Sequence, residues 1–130
     1  MNNRDAERSP IRICPVPTFT DVRGRLRVCE LGQALPFIPV RTFIISDVPM
    51  SATRAGHAVS CDLFMLVAYG SCKLTSSING IDEDYSFTSH LGGIYVLADT
   101  WILLSDFAPG TALLVHAQKL YAETQYRGQS

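Results

Sequence analysis

The sequence predicts an all-β protein, an antiparallel β-barrel or double-sheet jelly roll, and three observations predict it. Short runs of apolar, β-branched and aromatic residues recur between turn signals along most of the chain. Sustained helical periodicity is missing except for a short stretch at residues 118–126, which reads as a helical or irregular tail. No stretch repeats at the period of about 20–50 residues that marks a solenoid or propeller. Without helices to cover a parallel sheet, such strands bury their apolar faces by stacking antiparallel layers.

The elements follow in order. Residues 1–17 read as a disordered or extended tail: 1–10 are polar, and Pro15 and Pro17 break any helix, so a single domain is expected to run from 18 to 130. In 23–30, Leu26 and Val28 alternate with Arg25 and Arg27, the period of a half-buried strand whose arginine face is solvated. Residues 32–36 are a turn-rich break. Residues 40–48 form a β-branched and aromatic run bounded by prolines, expected as a buried strand. Residues 63–69, LFMLVAY, are another apolar run closed by Gly70-Ser71. In 72–78, Cys72 and Leu74 alternate with Lys73, Thr75 and Ser77. Asn79-Gly80 predicts a type I′ hairpin, because that turn needs two residues of positive φ. Strands are further expected around Tyr85 and Phe87, at 94–97 after Gly92-Gly93, at 101–104, and at 111–117 after Ala108-Pro109-Gly110.

Length and charge narrow the function. A chain of 130 residues makes one domain with one core. Lys+Arg 11 against Asp+Glu 12, net -1, gives no electrostatic footprint for nucleic acid or an anionic membrane surface, although local arginines can still hold a small anion. The first ten residues lack the apolar centre of a signal peptide, and no run reaches the roughly 18 apolar residues of a membrane span, so a soluble cytoplasmic protein is expected. Cys14, Cys29, Cys61 and Cys72 form no C-x-x-C pair and have no histidine at zinc-finger offsets, which favours small buried hydrophobes over a disulfide framework. The apolar runs at 63–69 and 101–104 exceed what one sheet face needs, so a second subunit is expected to cover part of them.

The chemistry centres on residues 51–64, SATRAGHAVSCDLF, where an arginine, a glycine and a histidine fall in an expected turn between two apolar runs. A metal site of the His-x-His kind fails at Val59, which cannot ligate, leaving only His90 and His116 as other histidines. No G-x-S-x-G elbow or phosphate-cradling G-x-x-x-x-G-K occurs. Acid–base work by His57 remains, since imidazole titrates near neutral pH and suits proton removal beside a carbonyl. Arg54, three residues earlier, and Arg41, on the preceding strand, are candidates to hold an anionic handle of the substrate. His90 and His116 read as structural, and Trp101 as a core aromatic.

These residues carry a resemblance. Asp21-Val22-Arg23-Gly24 with Leu26 and Glu30, Leu35-Pro36-Phe37 with Arg41, Arg54-Ala55-Gly56-His57-Ala58, Gly70-Ser71-Cys72-Lys73 and Asn79-Gly80 form its first part. Gly93, Trp101, Ser105-Asp106-Phe107, Leu113-Leu114-Val115 and Tyr121 with Glu123 and Tyr126 complete it. In this order and spacing the chain resembles the sugar 3,4-ketoisomerases that act on dTDP-4-keto-6-deoxyglucose, the WxcM-like or FdtA/QdtA-type cupins. The resemblance implies a cupin barrel that needs neither metal nor cofactor, a homodimer exchanging N-terminal strands, and a dTDP-sugar as ligand. It further implies isomerisation of a 4-keto to a 3-keto sugar through an enediol, with His57 as base and Arg54 and Arg41 near the substrate.

The chain departs from the family pattern at Val59, where a second histidine stands, at Ile102 and Leu103, where a histidine and an acid usually follow the tryptophan, and at Phe43 and Ile44, which replace tyrosines. Two readings therefore stay open. One is an isomerase working through His57; the other is a catalytically quiet cupin that binds a nucleotide sugar or assembles with another enzyme.

Overall fold

In the computed structural model of the protein, residues 10–30 and 37–128 are described. The structure is two facing five-stranded antiparallel sheets and a separate hairpin. The first sheet runs, edge to edge, β1 (Ile11–Cys14), β9 (Gly93–Val96), β6 (Leu63–Tyr69), β11 (Ala112–Ala117), β4 (Arg41–Ser46). The second runs β12 (Tyr126–Arg127), β5 (Arg54–Val59), β10 (Trp101–Ser105), β7 (Ser71–Ile78), β8 (Ile81–Thr88). The hairpin pairs β2 (Thr18–Asp21) with β3 (Gly24–Arg27). The jelly-roll alternative of the expected fold is the one that forms: the two sheets stay separate and do not close into a barrel.

Between the sheets lies the main core. Leu63, Met65 and Val67 of β6 and Leu113 and Val115 of β11 face Cys72 and Leu74 of β7 and Ile102 and Leu104 of β10. Alternation along β10 and β11, and along β7 as far as Ser77, is regular, with every second residue buried, as the period of a half-buried strand requires. Burying one such Leu or Val contributes about 1.5–3 kcal/mol. The Asn79-Gly80 turn joins β7 to β8, with φ of 53° and 79° at its two central residues.

β6 is apolar on both faces because both faces are covered. Its outer face carries Phe64 and Leu66, and these pack with Tyr95, Phe37, Cys14, Val16 and Cys29 in a second cluster. Part of the apolar surplus expected to meet a second subunit is thus covered by the chain's own N-terminal segments. Order also begins before Thr18: Ile11–Cys14 is an edge strand, with Ile11 opposite Val96 and Cys14 opposite Gly93. Residues 1–9 of the expected tail and the break at 32–36 lie outside the described residues.

Other local expectations shift. The run at 40–48 is an edge strand rather than a buried one, its outward Ile44 being 67% exposed. The half-buried alternation read at 23–30 does not form: Leu26 is 61% exposed while Arg27 is half-buried, because the hairpin stands off the core. Trp101 lies half-buried on the outer face, its indole donating to the Gly128 carbonyl at 3.1 Å. The tail is a short 3-10 helix at Tyr121–Glu123 followed by β12, which adds to the edge of β5. All four cysteines are free thiols, Cys61 and Cys72 buried and Cys14 and Cys29 half-buried. Burial pushes the Cys72 thiol up to about 11, which leaves it a packing residue rather than a nucleophile.

Candidate functional site

His57 sits on a strand, not in the turn expected for it. Residues 54–59 pair with β10, and the pairing slips by one: Ile102 faces His57 while Leu103 faces Ala55, so Gly56 is the extra residue of a bulge. Ala55 and Gly56 adopt φ of 67° and 76°; glycine enters this left-handed region without penalty and alanine at a cost, and a glycine there marks a bulged strand. The bulge has a functional consequence. In a regular strand residues three apart point to opposite faces; the inserted residue resets the alternation, and Arg54 and His57 both line the same cavity.

That cavity, about 480 Å³, opens at one end of the sandwich between β4, β5 and the C-terminal tail. Arg41 enters from the start of β4, so the structure brings all three expected residues, His57, Arg54 and Arg41, to one space. The guanidinium of Arg41 lies 5.3 Å from the Phe43 ring centre and 5.6 Å from that of Tyr121, within the range of cation–π attraction. Its Nη1 donates to the Tyr126 hydroxyl at 3.5 Å. The His57 ring meets the Tyr126 ring edge-on, with centres 5.0 Å apart. The remaining wall is apolar: Phe43, Ile45, Val59, Leu63, Met65, Ile102 and Leu104.

Two polar atoms of this site, Nε of Arg41 and Nδ1 of His57, are buried without a hydrogen-bond partner among the described residues. Buried polar groups are nearly always paired in native proteins, so this pair marks where a polar ligand gains by binding. The other histidines are elsewhere. His90 lies exposed in the turn before β9, and His116 projects from the outer face of β11, its Nδ1 2.9 Å from the Thr42 hydroxyl. Among the described residues no three of His, Cys, Asp and Glu gather closely enough to hold a metal ion.

Sequence reasoning did not place Tyr121 and Tyr126 at the cavity. The tail is tied down by Ser60 N–H donating to the Gln125 carbonyl at 3.0 Å, Gln125 N–H donating to Ser60 Oγ at 2.8 Å, and an Arg127–Asp99 ion pair at 2.9 Å. The two tyrosines in that stretch were the available signal, but only the β12–β5 pairing turns it toward His57.

Comparison with known proteins bears on the family and the fold. The family model FdtA, described as WxcM-like, C-terminal, matches residues 9–129. The chain is 28% identical over 107 residues to the TDP-4-oxo-6-deoxy-alpha-D-glucose-3,4-oxoisomerase of Aneurinibacillus thermoaerophilus, covering 82% of this chain and 77% of that one. Among solved structures it is similar to a double mutant of the 3,4-ketoisomerase QdtA from Thermoanaerobacterium thermosaccharolyticum in complex with TDP. That match has TM-score 0.87 and 25% identity, over 93% of this chain and 88% of that one. The TDP-quinovose 3,4-ketoisomerase WlaRB from Campylobacter jejuni shares the fold at TM-score 0.84 and 24% identity, over 93% and 94% of the two chains.

Proposed function

The chain belongs to the FdtA family of WxcM-like, C-terminal domains, and on that premise we propose that it is a nucleotide-sugar isomerase, a dTDP-4-keto-6-deoxyglucose 3,4-ketoisomerase of deoxysugar biosynthesis. The observation that carries the proposal is the convergence of His57, Arg41 and Arg54 on one open cavity. At about 480 Å³ the space falls in the range of ordinary small-ligand sites, roughly 300–1,000 Å³. Two guanidiniums suit a diphosphate, which they grip with paired donors, and the apolar wall suits the sugar's methyl-bearing face.

In this reading His57 removes the proton from the carbon beside the ketone. That carbon carries a hydroxyl, so the resulting enediol collapses in either direction, and reprotonation of the neighbouring carbon completes the shift of the carbonyl. A site lined with apolar side chains strengthens each charge interaction inside it. The acting form is proposed to be a cytoplasmic homodimer with exchanged N-terminal strands; among the described residues no helix is long and apolar enough to cross a membrane.

The experiment is incubation of dTDP-4-keto-6-deoxyglucose with the protein in deuterated water. The wild-type chain is expected to exchange the proton beside the carbonyl and to form the 3-keto product, and His57→Asn is expected to stop both. The apolar groups Val59 and Ile102 flanking His57 favour a second reading, a binding module without turnover. Binding of the sugar nucleotide with neither exchange nor product would put that reading in place of the isomerase.

A further inference from the structure

A 3,4-keto shift relocates two hydrogens: one from carbon to carbon, the other from oxygen to oxygen. The C–H bond that breaks stands perpendicular to the plane of the forming enediol, whereas the O–H bonds lie close to that plane. An imidazole placed over the carbons is therefore not in line with the oxygens, and the oxygen-side transfer calls for another group within hydrogen-bond reach.

The polar side chains lining the cavity are Arg41, Arg54, His57, Tyr121 and Tyr126. Arginine stays protonated and carries no exchangeable acid–base function at neutral pH, which leaves the two tyrosines. Tyr121 is 71% exposed, Tyr126 38%. Tyr126 stands in register with Val59, whose side chain faces the cavity, and directly opposed residues of a strand pair share a face. Its ring touches that of His57, and its oxygen accepts from Arg41. A phenol that accepts from a guanidinium keeps its own hydrogen free to donate into the cavity.

We propose that Tyr126 is the oxygen-side proton carrier of this site, paired with His57 as the carbon-side carrier. The inference rests on the isomerase reading. In the first half His57 takes the hydrogen of carbon 3 as a proton, the C–H electrons form the double bond between carbons 3 and 4, and the Tyr126 hydroxyl gives its proton to the oxygen on carbon 4. In the second half the phenolate takes the proton of the hydroxyl on carbon 3, the carbonyl forms there, and His57 returns its proton to carbon 4. Both side chains end as they began, and no oxidant or reductant enters. Arg41, beside the phenol oxygen, is placed to stabilise negative charge while the proton is away.

The test is Tyr126→Phe in the full chain, assayed with dTDP-4-keto-6-deoxyglucose in deuterated water for both product formation and deuterium uptake, with sugar-nucleotide binding and thermal unfolding checked alongside. The variant keeps the ring against His57, so folding and binding are expected to persist. Product formation is expected to fall by about 100- to 10,000-fold, the usual worth of a general acid–base group, while deuterium uptake falls less, because His57 still opens and recloses the C–H bond. Product formation at the wild-type rate, or equal losses in product and uptake, would overturn the role of Tyr126 alone. A wild-type protein showing neither product nor uptake would overturn the isomerase reading, and this role with it.

Discussion

His116 and His57 are the same side chain in opposite settings. His116 is held on the outer sheet face, where burial lowers its pKa below the ordinary value of 6.5, and its Nδ1 accepts from the Thr42 hydroxyl when the proton sits on Nε2. A histidine whose folded pKa is depressed binds fewer protons folded than unfolded, so stability is highest above the unfolded pKa and falls as pH drops through it. Thermal unfolding is therefore expected to shift downward between neutral pH and the lowered folded value, and His116→Gln is expected to flatten that dependence. An equal slope in the variant would assign the effect to other groups. His57 by contrast faces the cavity with an Nδ1 that has no hydrogen-bond partner among the described residues. The residue types pointed to His57 as the chemical histidine, but the ring it meets, that of Tyr126, is 69 positions away along the chain and gave no local sign of the contact.

At the scale of elements, a glycine decides how closely β9 approaches β6. A Cβ at Gly93 would fall 2.2 Å from the Phe64 ring, and Phe64 is fully buried between Tyr95 and Phe37. Its ring has no free space to enter, so Gly93→Ala is expected to cost about 1–3 kcal/mol, the range for overpacking a filled site, read as a lower denaturant midpoint. An unchanged midpoint would mean that the outer cluster is loosely packed. β5 shows a different kind of decision: the Arg-Ala-Gly-His run reads as a turn because glycine punctuates it, yet its backbone keeps pairing on either side of the bulge. A one-residue slip that leaves both flanks hydrogen-bonded has the composition of a turn and the pairing of a strand. Only the partner strand β10 distinguishes the two.

For the whole molecule, the β2–β3 hairpin is the part a lone chain does not account for. Phe19 and Leu26 are cross-strand partners, each 61% exposed, and Val22 at the tip is fully exposed. Paired strands that present an apolar pair to water, apart from their own core, mark an interaction surface, and the proposed dimer with exchanged N-terminal strands supplies the occupant. Sedimentation is expected to show a dimer for the wild-type chain and a shift to monomer for Phe19→Ser combined with Leu26→Ser. A wild-type monomer would remove the dimer from the proposed function.

The all-β class, the alternating strands at 72–78, 101–104 and 111–117, the Asn79-Gly80 hairpin and the choice of His57, Arg41 and Arg54 as the groups to watch were all legible in the residues alone. Each of these is written in residues close together: period-two alternation, a two-residue turn, a charged or titratable side chain beside an apolar run. It took the folded chain to show that the N-terminal segments cover the outer face of β6, that the Gly56 bulge turns Arg54 and His57 the same way, and that the tail brings Tyr126 against His57. Those outcomes depend on which strand lies beside which, a pairing between residues tens of positions apart, and neither spacing nor composition within one segment encodes its distant neighbour.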